Sequence, residues 1–234
     1  MKCSGVAFLS FVFAVAAASP AFAQTDAPPA NPQPANTQPQ SQNAPPDNSQ
    51  IDISGSFYAA FNRSTAGNGT KQTPENSEGG MFEARYLASR FVGAGLAISF
   101  SPANQSFAQD PSTCGANCPP YPPTTLTAKA IEVVPEYVPS RQFGRVRAFA
   151  VGGLGFYILS TSAPPNGFAS TDRTRVVYVF GGGADFSLTP RFGVRVQYRY
   201  NLYKAPDIST PGGYPATGKY TSSSEPMAGV FYTF

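Results

Sequence analysis

From Ile51 onward, apolar and polar positions alternate in segments of about ten residues, the length of a tilted strand crossing a bilayer. Val194, Val196, Tyr198 and Tyr200 share one parity, and Arg195, Gln197 and Arg199 share the other. Phe82, Ala84 and Tyr86 oppose Glu83 and Arg85; Ile131, Val133 and Tyr137 oppose Glu132 and Glu136. Val146, Ala148 and Ala150 oppose Arg145 and Arg147, while Val230, Tyr232 and Phe234 line one face. A period of two is the mark of a strand with two unlike faces. No helical period of useful length and no long apolar run occurs here, so no transmembrane helix is expected. The pattern predicts eight strands, at 51–62, 80–89, 93–103, 126–139, 145–160, 174–188, 191–204 and 225–234.

The connections between these strands are sorted by length. Short ones fall around Arg90-Phe91-Val92, from Ser140 to Gly144, and at Thr189-Pro190. Long polar ones cover 63–79, 104–125, 161–173 and 205–224. Long and short alternate along the chain, as they do in a barrel threaded through a membrane with turns on one side and loops on the other. A soluble sandwich has no reason to sort its loops this way. The expected fold is all-β, an eight-stranded antiparallel up-and-down transmembrane β-barrel. Lipid then demands an apolar exterior, and closure pairs every backbone group without an edge. The charged residues Glu83, Arg85, Glu132, Glu136, Arg145, Arg147, Asp185, Arg195 and Arg199 are expected to face the lumen. The alternative is a soluble barrel with an apolar core and these charges in water. Pro135 and Pro226 lie inside predicted strands, where proline removes a ladder donor. Pro226 fits a strand start; Pro135 needs a bulge or an earlier end to the fourth strand.

Composition agrees with a lipid-facing surface. Charged residues are 12% of the chain, about half the usual share of a soluble domain. A net charge of +3 without a basic cluster gives no footing for nucleic acid. The chain has no histidine, which removes the commonest general base and metal ligand. Lys2, the apolar stretch Val6 to Ala18 and Ala21-Phe22-Ala23 read as a signal peptide over 1–23, with Gln24 the first mature residue. An uncleaved membrane helix is the other reading, and Pro20 ends the run early for one. Residues 24–50, rich in Pro, Gln and Asn, read as a disordered spacer. The barrel domain is expected over 51–234. Cys3 leaves with the signal, and Cys114 and Cys118 remain. An even pair in an exported chain favours a disulfide over two free thiols.

Three stretches carry a resemblance to the OmpA-like and opacity-type family of small outer-membrane barrels. Ala148 to Tyr157 is similar to the family's glycine-rich fifth strand, Gly181 to Arg191 resembles its sixth strand and tight turn, and Gly193 to Tyr200 resembles its seventh. The chain also ends on Phe234, the terminal aromatic that barrel-assembly machinery reads in such families. The resemblance covers roughly 51–234. It implies a bacterial outer-membrane location, contact with outer-membrane lipids, and handling by periplasmic chaperones and barrel-assembly machinery. A monomer with no cofactor is expected, and, in a departure from the family pattern, no peptidoglycan-binding domain.

Three functions fit such a chain. The first is a non-enzymatic surface scaffold whose long loops make contacts, with a ligand the sequence does not name. The second is a small pore. Eight strands enclose a lumen that side chains just fill, and charges of both signs favour a paired plug over a conducting path. The third is a membrane enzyme, for which no Gly-x-Ser-x-Gly elbow or paired-carboxylate motif is present.

Overall fold

A computed structural model describes residues 50–114, 123–161, 172–206 and 215–234. The expected signal peptide, the spacer up to residue 49 and the Cys114–Cys118 bridge lie outside the described residues. In chain order the elements are β1 (Gln50–Asn62), β2 (Thr65–Gly67), β3 (Thr70–Pro74), β4 (Ser77–Leu87), β5 (Val92–Pro102) and β6 (Gln105–Gln109). They continue with the short helix α1 (Pro111–Cys114), β7 (Thr124–Leu126), β8 (Ala128–Phe143), β9 (Val146–Thr161), β10 (Asp172–Ser187), β11 (Phe192–Lys204) and β12 (Tyr220–Thr233).

Eight of the strands close a barrel in the spatial order β1-β12-β11-β10-β9-β8-β5-β4. Every pair is antiparallel, and each barrel strand lies beside the next one in the chain. The eight predicted strands are these eight, with shifted ends. The fourth runs on to Phe143, so the expected turn from Ser140 shrinks to Gly144-Arg145. Gly144 takes a positive φ of 60° there, as the first central position of a type II′ hairpin requires. The eighth begins at Tyr220 rather than 225, well before Pro226.

The prolines neither end their strands nor create bulges. β8 pairs with β5 without a break from Val92↔Pro139 to Pro102↔Lys129. Toward β9 the pairing skips Val134-Pro135 and Val138-Pro139, yet Val133↔Phe156, Glu136↔Gly153 and Ser140↔Phe149 hold one register. Pro226 behaves alike: its ladder to β11 is continuous, and the ladder to β1 jumps from Tyr58↔Met227 to Phe61↔Ser224. In each case the missing N–H faces one neighbour and the other neighbour keeps the strand aligned.

Alternation settles the two faces. Phe57, Phe82, Phe100, Leu154, Phe156, Phe180, Val196 and Tyr198 are exposed on the outside. The inside holds Arg85, Glu83, Asp185, Arg195, Arg199 and Asn201, all almost fully buried. This is a protein with its polar residues in the centre and its apolar residues on the rim, which suits hydrocarbon and not water.

Two of the long connections are themselves sheet. β2, β3, β6 and β7 form a second, four-stranded antiparallel sheet at the loop end of the barrel. Asn68 and Gly69, with φ of 52° and 78°, make the tight turn between β2 and β3, the Asn-Gly hairpin that needs positive φ at both positions. Phe107 and Leu126 turn inward and pack on Ala128, Ala130 and Leu159 of β8 and β9. Buried Gln72 and Gln105 hydrogen-bond each other at 3.0 Å. Beyond β6, Asp110 accepts from the Ser112 hydroxyl at 2.6 Å, which holds its carboxyl below the usual range. The connection before β12 also joins, since Asn68 Nδ2 donates to the Ala216 carbonyl at 2.8 Å.

Gly155 sits where β9 approaches β8, and a Cβ there would collide with the Val133 carbonyl and Val134. Gly155→Ala should therefore destabilise the barrel by about 1–3 kcal/mol through overpacking. Gly80→Ala, where a Cβ meets nothing within 4 Å, should stay within about 0.5 kcal/mol of the parent. Urea unfolding in detergent, followed by the gel-mobility difference between folded and unfolded barrel, measures both. Equal midpoints would refute the close approach of β8 and β9.

Candidate functional site: the charge network inside the barrel

β11 supplies the spine of the interior, because its inward positions are Arg195, Gln197, Arg199, Asn201 and Tyr203. Register then decides which partners reach them. Asp185 on β10 lies directly across from Arg195 on one side and from Arg147 of β9 on the other. Its carboxylate takes Arg195 in a fork, Nε at 2.7 Å and Nη2 at 3.1 Å. It also takes Arg147 Nη2 at 2.7 Å and Nε at 3.0 Å. Arg147 reaches on to Asp52 of β1, whose second oxygen accepts from Thr233 Oγ1 at 2.7 Å. Arg195 Nη1 spans the lumen to Glu83 at 2.7 Å and to Ser54 at 2.9 Å. Glu83 in turn holds Arg85 Nε at 2.6 Å, and Arg85 Nη2 donates to Gln197 at 2.8 Å. Phe149 fills the space between, with the guanidiniums of Arg85 and Arg195 at 4.2 and 5.5 Å from its ring centre.

A second group sits toward the loop end. Arg199 Nη2 lies 3.0 Å from both Glu132 and Glu136 of β8. Asn201 Nδ2 bridges Glu132 at 3.0 Å and Glu225 of β12 at 2.8 Å. Tyr157 and Tyr203 stack above them with ring centres 4.7 Å apart. A small cavity of about 20 Å³ is lined by this layer and by Gln105 and Pro74 of the loop sheet, room for about one water molecule.

Eight of the nine residues expected in the lumen thus lie on inward faces: Glu83, Arg85, Glu132, Glu136, Arg147, Asp185, Arg195 and Arg199. Arg145 does not. It is exposed in the Gly144-Arg145 turn, because β9 starts one residue later and its alternation never reaches that position. The alternation puts Gln197 on the face of Arg195 and Arg199, and it lies there; the pattern reading missed the carboxylates Asp52 and Glu225 and the polar bridge Asn201. Asp52 between Ile51 and Ile53 carried a signal; Glu225, next to Pro226 at a supposed strand start, carried little. Arg173 and Arg175 continue the inner face of β10 toward the loop end.

Each of the four innermost guanidiniums binds a carboxylate. Among the described residues no group of His, Cys, Asp and Glu has the geometry of a metal site. Such an arrangement fills and fixes a lumen. At the turn end the filling stops short. A polar cleft of about 460 Å³ opens there, lined by Gln50, Arg90, Ser140, Gln142 and Thr233, with Arg147 also on its wall.

The sequence matches the family described as outer membrane protein beta-barrel domain over residues 8–234. No curated protein matches it significantly. Among solved structures, the fold is similar to that of the outer membrane protein OprG from Pseudomonas aeruginosa. Identity is 14%, the alignment covers 79% of this chain and 95% of that one, and the TM-score is 0.51. It is also similar to Neisserial surface protein A, at 13% identity over 80% of this chain and 97% of that one, with a TM-score of 0.50.

Arg195→Ala leaves buried Asp185 with Arg147 alone and buried Glu83 with Arg85 alone, and breaking the network in this way should cost about 3–5 kcal/mol. Arg145→Ala, at an exposed turn, should change stability by less than about 0.5 kcal/mol. Urea unfolding of both variants in the same detergent checks the pair, and equal losses would place Arg195 outside the network.

Proposed function

Because the chain belongs to the outer membrane protein beta-barrel domain family and resides in the bacterial outer membrane, we propose that it is a non-conducting, non-enzymatic surface scaffold. Its contacts are made by the loop end. The observation that carries this reading is the pairing of a filled lumen with a folded loop sheet. A protein selected to pass solutes has no use for four arginines locked to carboxylates across its path. A protein selected to present a surface gains from loops that hold one conformation. The inward face of the loop sheet, Thr70, Gln72, Gln105, Phe107 and Leu126, is buried. Its other face offers Lys71, Thr73, Ser106 and Thr125, polar side chains suited to adaptable contacts. The short turns face the periplasm and the long loops face the medium, as is usual for such barrels. The absence of histidine supports the non-enzymatic part.

A pore is the second reading. The cleft at the turn end favours it, since it admits solvent as far as Arg147. Purified protein in planar bilayers separates the two. The scaffold reading expects no steady unitary conductance, and a reproducible one would replace it with the pore. Orientation is tested on intact cells in a background where Cys114 and Cys118 are serine. Maleimide should label Asn68→Cys and leave Pro190→Cys protected; the reverse pattern would invert the barrel.

A further inference from the structure

The two ends of the barrel carry different cations. The described lysines, Lys71, Lys129, Lys204 and Lys219, all lie at the loop end. At the turn end the exposed cations are all arginines. Arg90 is in the β4–β5 turn, Arg141 is near the end of β8 and Arg145 in the β8–β9 turn, and Arg191 is in the β10–β11 turn. So every hairpin at that end contributes at least one guanidinium. No side-chain carboxylate is exposed there among the described residues: Asp52, Glu83 and Asp185 are buried in the lumen, and Glu75 and Glu78, the exposed ones, sit at the loop end. None of the four arginines has an ion-pair partner among the described residues.

Their height on the barrel is set by their neighbours. Arg90 lies over the ring of Phe91 at 4.8 Å and Arg141 over that of Phe143 at 5.3 Å. Both rings are about half exposed, as are Leu188 and Phe192 of the third turn. An apolar collar immediately backed by guanidiniums marks the boundary between hydrocarbon and headgroups. Phosphodiesters lie at that depth. A guanidinium presents a planar fork of donors that matches two phosphate oxygens, where an ammonium offers only a point charge.

We propose that the turn end is a ring-shaped binding surface for the phosphates of anionic phospholipid in the periplasmic leaflet. The leaflet assignment rests on the orientation given above; the phosphate chemistry does not. The arginines stand at the edge of the lipid-facing collar rather than on an extension into the periplasm, which favours lipid over cell-wall glycan.

The test uses full-length mature protein in nanodiscs of mixed phosphatidylethanolamine and phosphatidylglycerol, with retained lipids identified by native mass spectrometry. Wild type should enrich phosphatidylglycerol about fivefold, the factor equivalent to about 1 kcal/mol for a basic residue near an anionic surface. R90Q/R141Q/R145Q/R191Q should abolish the enrichment, and the matching arginine-to-lysine variant should keep only part of it. Glutamine at Lys71, Lys129, Lys204 and Lys219 should leave it intact. If the quadruple variant fails to fold, R90Q/R191Q and R141Q/R145Q each serve, with a partial loss expected from either. No enrichment by wild type, or enrichment unchanged in the arginine-to-glutamine variants, overturns the proposal. So does displacement of bound lipid by millimolar glycerol phosphate, which would make this a site for free phosphate esters. Arginine-dependent co-sedimentation with purified peptidoglycan, without lipid enrichment, would assign the rim to the cell wall instead. Both nanodisc leaflets are alike, so an inverted labelling pattern on cells overturns the leaflet assignment while the lipid result stands or falls by itself.

Discussion

The carboxylate of Asp185 is the point on which the interior depends. It lies between two strands and holds a guanidinium from each, Arg195 from β11 and Arg147 from β9. Those arginines then carry the linkage to Asp52 and Glu83 on the far side of the barrel. A buried ion pair adds little net stability over apolar packing, because desolvation offsets the attraction. What it adds here is alignment. A slip of one residue between β10 and β11 would turn Asp185 outward into lipid and leave Arg195 with Glu83 alone. The network therefore penalises wrong registers more strongly than it rewards the right one, and it does so across strands that share no turn.

Backbone closure is the complementary constraint. A hydrocarbon surround tolerates few unpaired N–H and C=O groups, yet three prolines, Pro135, Pro139 and Pro226, interrupt a ladder of the wall. The barrel accommodates them by confining each defect to one ladder while the opposite ladder runs on unbroken. Gly153 and Gly155 face the interrupted stretch of β8, and their lack of side chains lets the strands stay close where hydrogen bonds are missing.

Much of this was legible in the alternation of residues. Val194 to Tyr200 states its two faces outright, and so does Phe82 to Tyr86, because lipid on one side and charge on the other leave no compromise. Loop parity fixed the strand count for a similar reason, since each crossing returns the chain to the opposite side. The partners were not legible. Arg195 could have met any of four carboxylates, and stagger around the barrel, which no local pattern encodes, chose Asp185 and Glu83. Arg145 was misplaced because a two-residue hairpin moves the strand start by one position. The loop sheet was missed although Asn68-Gly69 is a strong hairpin signal. Strands of three to five residues are too short for alternation to stand out, and their pairing spans two connections that are distant in sequence.

That sheet ties together parts of the chain that a simple barrel would leave independent. β3 comes from the first long connection and β6 from the second, and they pair through Thr70↔Gln109 to Pro74↔Gln105. In most barrels of this design each surface loop is a separate field for insertion and drift. Here a length change in one connection shifts its strand against a partner encoded some thirty residues away. The two connections must therefore be inherited together. Recombination between relatives would preserve a working surface only by exchanging residues 63–127 as one cassette, with the wall strands β4 and β5 carried along inside it.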